Sequence, residues 1–151
     1  MSVVLGATVA GGTVWFACVK DGELVASDPH RFDLAGGLPH GAALLAGQDD
    51  LAAVLTRLGV DRVVLAEGET NASMTYPAAR ERFTAELVLE FAAAKAGVEL
   101  VRITRARVRS AHGFPRNGSV SSHASTVIDE PLSPHWTNKR DVAALAALAS
   151  E

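Results

Sequence analysis

The pattern of apolar and polar positions changes character along the chain, and the change orders the elements. Val3 to Ala10 and Thr13 to Lys20 are apolar runs rich in β-branched residues, separated by Gly11-Gly12. Asp21-Gly22 then separates the second run from a third that starts at Glu23 and reaches Ser27. Gly-Gly and Asp-Gly pairs admit the positive φ that tight hairpins require. An antiparallel three-strand meander is therefore predicted at the start. Residues 29–47, with Pro29, Pro39 and several glycines, read as a loop or irregular crossing.

Beyond Asp49-Asp50 the period lengthens. Leu51, Val54, Leu55 and Leu58 recur at helical spacing, with the acids suited to a helix start and Gly59 to its end. Arg62 to Glu67 reads as a strand. Ala78 to Ala96 reads as a long helix with Phe83, Leu87, Phe91 and Ala94 on one stripe and Gly97 closing it. Glu99 to Thr104 is a short strand, and Arg105 to His112 a short helix closed by Gly113. Phe114 to Thr137, rich in Ser, Gly and Pro, reads as one long surface loop. The stretch NKRDVAALAALA is a closing helix with Asn138 placed to cap it. Strands separated by helices lie parallel through right-handed crossovers. The order β-β-β-α-β-α-β-α thus predicts an α/β fold: a five-stranded mixed sheet, antiparallel meander first and parallel strands after, with helices on its faces.

Composition narrows the class. With 151 residues, 48% of them hydrophobic, the chain suits a single domain spanning 1–151. No apolar run approaches the ~18 residues of a membrane span, and no basic segment followed by an apolar stretch opens the chain, so a cytoplasmic protein is expected. Cys18 lies within an apolar run, where a buried free thiol is expected. The net charge of −3 does not mark the whole molecule for nucleic acid. Its distribution is uneven, however. Arg102, Arg105, Arg107, Arg109 and Arg116 crowd one segment, and only three of the 14 basic residues are lysines. The planar guanidinium suits phosphate better than a lysine point charge does; a solvated helix face is the plainer alternative.

Glu67 closes an apolar strand, and ligand sites in parallel sheets lie beyond the carboxyl ends of strands. Glu69 follows two residues later, on the same face by strand alternation. Asp141 falls in the first turn of the last helix, where a carboxylate also favours the helix dipole. His112, His123 and His135 lack zinc-site spacing, and no phosphate loop, nucleophile elbow or redox motif occurs.

Three stretches, VVLGATVAGG, DRVVLAEG and NKRDVAALAALA, together with the element order, make the chain resemble the RuvC-type Holliday-junction resolvases of the ribonuclease H-like superfamily. In that family an Asp ending the first strand, a Glu ending the fourth and one or two acids of the last helix hold two divalent ions for phosphodiester hydrolysis. The resemblance implies Glu67 and Asp141 as catalytic metal ligands for Mg²⁺ or Mn²⁺. It places Asn138 where another acid often stands, with Glu69 as a further candidate. Thr8 stands where the first-strand Asp belongs, and there is no carboxylate in residues 1–20. The resemblance implies nucleic acid, DNA rather than RNA, as partner. Arg105, Arg107, Arg109 and Arg116 would hold its phosphates. Pairing into a homodimer through the long helix or the Ala-rich one is also implied. The expectation is that Thr8, Glu67 and Asp141 converge at the carboxyl edge of the sheet. Two function classes follow: a metal-dependent endonuclease acting on structured DNA, or a binding or assembly module of the same fold that has lost the metal pair. A small ATPase-like domain of the superfamily is a weaker third, since phosphate-binding glycine loops are missing.

Overall fold

Gly11, at φ 62°, turns the chain between strands β1 (Val3–Ala10) and β2 (Thr13–Lys20), which pair antiparallel with Thr8 opposite Trp15. Asp21 and Gly22, at φ 52° and 83°, give the two consecutive positive φ values of a hairpin turn into β3 (Glu23–Val25). The computed structural model describes residues 2–34, 40–68, 73–132 and 134–150. Strand β5 (Arg62–Ala66) runs parallel to β1, and β6 (Glu99–Ile103) parallel to β5. The sheet order is β3-β2-β1-β5-β6, the predicted mixed arrangement of five strands, to which a sixth short strand is added beside β2.

Part of the segment expected to be loop is ordered structure. A short strand β4 (Arg31–Asp33) pairs with β2, and helix α1 spans His40–Leu58, starting well before Asp49. Gly47 was misleading because glycine usually weakens a helix interior. Here it is buried, and a Cβ would come within 2.6 Å of the Leu34 side chain. The glycine permits close packing and does not break the helix.

Side chains alternate across the strands. Leu5, Ala7, Val9, Phe16, Val63 and Leu65 pack against α1 and α2 (Tyr76–Ala96). Val4, Ala17, Val19, Val64 and Ala66 pack against α3 (Arg105–His112) and α4 (Asp141–Ala149). Cys18 is buried in the first layer, and burial raises its thiol pKa, so it is the inert free thiol expected. Among the described residues, no helix is long and apolar enough to cross a membrane.

The α2 stripe faces outward. Phe83, Leu87 and Phe91 are 45%, 46% and 56% exposed, while Arg82, Ala85, Glu86, Val88, Leu89, Ala92 and Ala93 form the buried face. Ala85, Val88, Leu89, Ala92 and Ala93, not the aromatic residues, meet the sheet. The long loop is also partly structured, with a 3₁₀ segment at Ser121–Thr126.

Helix α4 lies directly on β1. A Cβ at Gly6 would stand 1.8 Å from the Ala143 carbonyl oxygen, a contact no side-chain adjustment relieves. Gly6→Ala is therefore expected to destabilise by roughly 3 kcal/mol or more, a fall of about 6–12 °C in Tm for a chain of this size. Gly41→Ala, where an added Cβ meets nothing within 4 Å, is expected to be neutral or slightly stabilising. Thermal unfolding of both variants checks the contrast.

Candidate functional site

Helix α4 begins at the carboxyl edge of the sheet and runs back along β1. Its last residues reach the opposite edge, where Ser150 shares a surface depression with Ser2, Val4, Asp61 and Arg62. At its start, Arg140 donates from Nε to the Phe16 carbonyl at 2.8 Å, and Phe16 pairs with Ala7. Thr8 and Asp141 thus occupy the same edge on the α4 side, both 1% exposed. Asp141 accepts three hydrogen bonds. Its Oδ1 accepts from the backbone N–H of Lys139 at 3.1 Å and of Val142 at 2.7 Å, and its Oδ2 accepts from the Ser121 hydroxyl. Ser121 Oγ in turn accepts from the Asn138 N–H at 3.1 Å. Thr8 Oγ1 has no hydrogen-bond partner among the described residues.

Asn138 does not cap α4. Its φ of 58° places it in the left-handed region, which asparagine tolerates better than most residues. It kinks the 136–140 turn ahead of the helix, and the Asp141 carboxylate satisfies backbone N–H groups there instead. His135 also adopts a left-handed conformation, at φ 58°, and sits 4.9 Å from Trp15 and 5.9 Å from His30 between ring centroids. Buried Arg140 holds this turn through the carbonyls of Phe16, Leu132 and Pro134. Burial lowers its pKa from the ordinary arginine value.

Glu67 faces the other layer. The parallel register pairs Thr8 with Ala66, which lies in the α4-side core, and β5 ends there. Glu67 comes one residue later and lines a depression with Phe83, Glu86, Leu87 and Arg102 on the α2 side. Its N–H donates to the Ile103 carbonyl at 2.9 Å, extending the β5–β6 ladder. Arg102 donates to Glu90 at 2.8 Å and Glu86 at 3.0 Å, and these bonds raise its pKa against the opposing effect of burial. Arg102 is thereby neutralised and drops out of the basic segment. Glu69 lies outside the described residues.

The remaining arginines divide by exposure. Arg107 and Arg116 point into solvent, whereas half-buried Arg105 and Arg109 line a cleft of about 390 Å³ together with Arg82, Val9, Gly68 and Ser119. Arg109 donates to the carbonyls of Pro115 and, at 2.9 Å, Gly118. Neither Arg105 nor Arg109 has a carboxylate partner among the described residues. His112 does not join that face: its Nε2 lies 2.8 Å from the Leu145 carbonyl, toward α4. Two contributors escaped sequence reasoning. Arg82 was available as a cation spaced with Ala85, Glu86 and Leu89 on what proves to be the buried face of α2. Ser121, in the long loop, positions Asp141 through its hydroxyl, a contact that no sequence spacing signals.

No protein-family model matches the chain, and no curated protein matches it in sequence. Solved structures do match. Thermus thermophilus RuvC superposes with a TM-score of 0.73 at 17% identity, over 97% of this chain and 92% of that one. The same protein in complex with a Holliday-junction substrate gives 0.73 at 16% identity, over 99% and 92%. The yeast mitochondrial Holliday junction resolvase Ydc2 gives 0.57 at 10% identity, over 98% and 77%. The fold is RuvC-like, of the ribonuclease H-like kind.

That fold implies a divalent-metal site, and the described residues at the α4 side of the edge do not fit one. Thr8 offers a hydroxyl, Ala66 a methyl, and Asp141 a carboxylate whose oxygens already accept three hydrogen bonds. A pair of hard dications needs several carboxylate oxygens. Among the described residues, no group of three His, Cys, Asp or Glu side chains is placed to hold an ion.

His30, whose ring stacks 5.9 Å from that of His135, carries a pH dependence. Burial, then Arg140, His135 and Arg31, push the His30 pKa below its ordinary value, with Asp28 opposing. Above about pH 6.5 the imidazole is neutral in both folded and unfolded chains and contributes nothing. Below it the unfolded chain takes up the proton more readily, so stability falls as pH drops through the folded pKa. Urea midpoints should fall from pH 7.5 to 5.5, and His30→Gln should flatten that fall.

Proposed function

We propose that this protein binds DNA through the arginine-lined cleft at the carboxyl edge of its sheet, with branched or junction DNA as the preferred form. One observation carries the reading: Arg105 and Arg109 converge with Arg82 on a single cleft beside Gly68, and Arg105 and Arg109 have no carboxylate partner among the described residues. Arg107 and Arg116, exposed on the same segment, supply flanking phosphate contacts. The likeness to a RuvC structure solved on a Holliday-junction substrate supports junction DNA over RNA. Phosphate contacts release counterions, so each lost contact lowers the slope of log K against log salt by ~0.9 on duplex DNA. Arg105→Ala with Arg109→Ala is expected to weaken junction binding and flatten that slope by roughly 1–2, measured by fluorescence anisotropy across a salt series. An unchanged slope would assign these arginines to solvation alone.

We infer further that cleavage dependent on Mg²⁺ or Mn²⁺ is slow or absent. Glu67 and Asp141 remain the residues on which such activity would rest, but they serve opposite layers of the sheet, and Thr8 and Ala66 contribute no charge between them. Calorimetric titration with Mn²⁺ should show millimolar or weaker binding by the wild type and tighter binding by Thr8→Asp, which restores a carboxylate. Robust wild-type cleavage of junction DNA, abolished by Glu67→Gln, would overturn this reading.

The exposed α2 stripe fits a second copy of the chain. Leu87 and Phe91 line a groove against Leu44 and Leu45 of α1, and contiguous exposed apolar surface of this kind marks an interface. A dimer in solution that Phe91→Asp dissociates, read by light scattering, is the expected outcome.

A further inference from the structure

Three guanidinium groups on two helices converge on one cleft at the carboxyl edge of the sheet. Arg82 rises from the buried face of α2 and is itself 8% exposed. It lies so close to the segment after β5 that a Cβ on Gly68 would stand 2.7 Å from its Nη1. Glycine at position 68 lets the guanidinium lie against the backbone there. Arg105 opens α3, and Arg109 follows one turn later on the same helix face. Arg109 is oriented by the carbonyls of Pro115 and Gly118, which are neutral acceptors and leave its charge uncompensated. The same bonds place Gly118 and Ser119 at the mouth of the cleft, with Val9 and Val120 as apolar wall.

We propose that this cleft is a metal-independent phosphate site, in which Arg82, Arg105, Arg109 and the Ser119 hydroxyl hold a DNA backbone phosphate directly. The inference rests on the DNA-binding reading and adds to it the Ser119 hydroxyl, direct contact to one phosphate and independence from divalent ions. Guanidinium forks match phosphate oxygens in charge and shape. A cluster of fixed cations also repels dications, so arginines and a metal pair are alternative means of neutralising one phosphate.

The test uses the full chain with two probes in EDTA and in Mg²⁺. Inorganic phosphate is followed through the arginine Nε–Hε signals by NMR, and a labelled four-way junction by anisotropy. Ser119→Glu places a carboxylate at the exposed mouth without entering the core, and Arg82→Gln removes the buried cation; circular dichroism checks that both fold. The expected result is saturable shifts of three arginine signals in EDTA, lost in Ser119→Glu. Junction affinity should be unchanged or tighter in EDTA, and about tenfold or more weaker in Ser119→Glu. Junction binding that requires Mg²⁺, or that Ser119→Glu leaves intact, overturns the inference while the DNA-binding reading stands. Saturable phosphate binding with no junction binding overturns the DNA-binding reading and reassigns the cleft to free phosphate. If Arg82→Gln fails to fold, the Ser119→Glu result decides alone.

Discussion

A helix can lie backbone against backbone on a strand only where a side chain is missing, and at Gly6 the sheet meets α4 in that way, leaving no room for a Cβ beside the Ala143 carbonyl. The alanines of α4 follow from this contact. A helix pressed so near the sheet needs small side chains at the contact itself, and Val142 through Ala147, four of them alanines, are all buried. Because α4 is pinned against β1, its first turn must fall at the level of Thr8, and the Asp141 carboxylate is set there by packing before any ligand is considered. The Ser121 hydroxyl and the N–H groups of Lys139 and Val142 then compete for its oxygens.

Most of this architecture was legible in the sequence because the signals were local. Gly11-Gly12 and Asp21-Gly22 needed positive φ, and the apolar runs beside them were continuous and rich in β-branched residues. What escaped was decided by tertiary contact. Gly47 looked like a breaker and proved to be the place where Leu34 packs on α1. Phe83, Leu87 and Phe91 recur at helical spacing, but the sheet below α2 accepts Ala85, Val88, Leu89 and Ala92 instead. Periodicity identifies a helix; it does not say which of two stripes is buried when both are apolar.

The site shows the same division at higher stakes. From the sequence, Glu67 seems to fill the place of an acid ending a strand beside Thr8. The parallel register pairs Thr8 with Ala66, and a shift of one residue sends a side chain to the other layer. No one-dimensional alignment of DRVVLAEG exposes that shift, because Ala66 and Glu67 are adjacent and only strand pairing tells them apart. Glu67 therefore shares its surroundings with Glu86 and Arg102. The basic segment was legible as a cluster but not as a site. Arg102 is spent on Glu86 and Glu90, Arg107 and Arg116 are solvated, and the cleft takes its third cation from Arg82, more than twenty positions earlier in the chain.

These two outcomes are linked by charge. A phosphodiester bound at a sheet edge must be met by positive charge, and a fold can supply it as dications held on carboxylates or as fixed guanidiniums. The first needs a surplus of acids at the edge; the second needs their absence, since a carboxylate beside Arg105 or Arg109 would neutralise it and compete for its N–H groups. Described residues on the α4 side supply one carboxylate that already accepts three hydrogen bonds, while the neighbouring cleft presents Arg109 tied to neutral carbonyls. Under the reading proposed above, the uncharged Thr8 and Ala66 and the cations around Gly68 form one arrangement. It favours holding a phosphate over activating water against it, because guanidiniums stabilise the negative charge of a phosphate but, remaining protonated, cannot take a proton from the nucleophile.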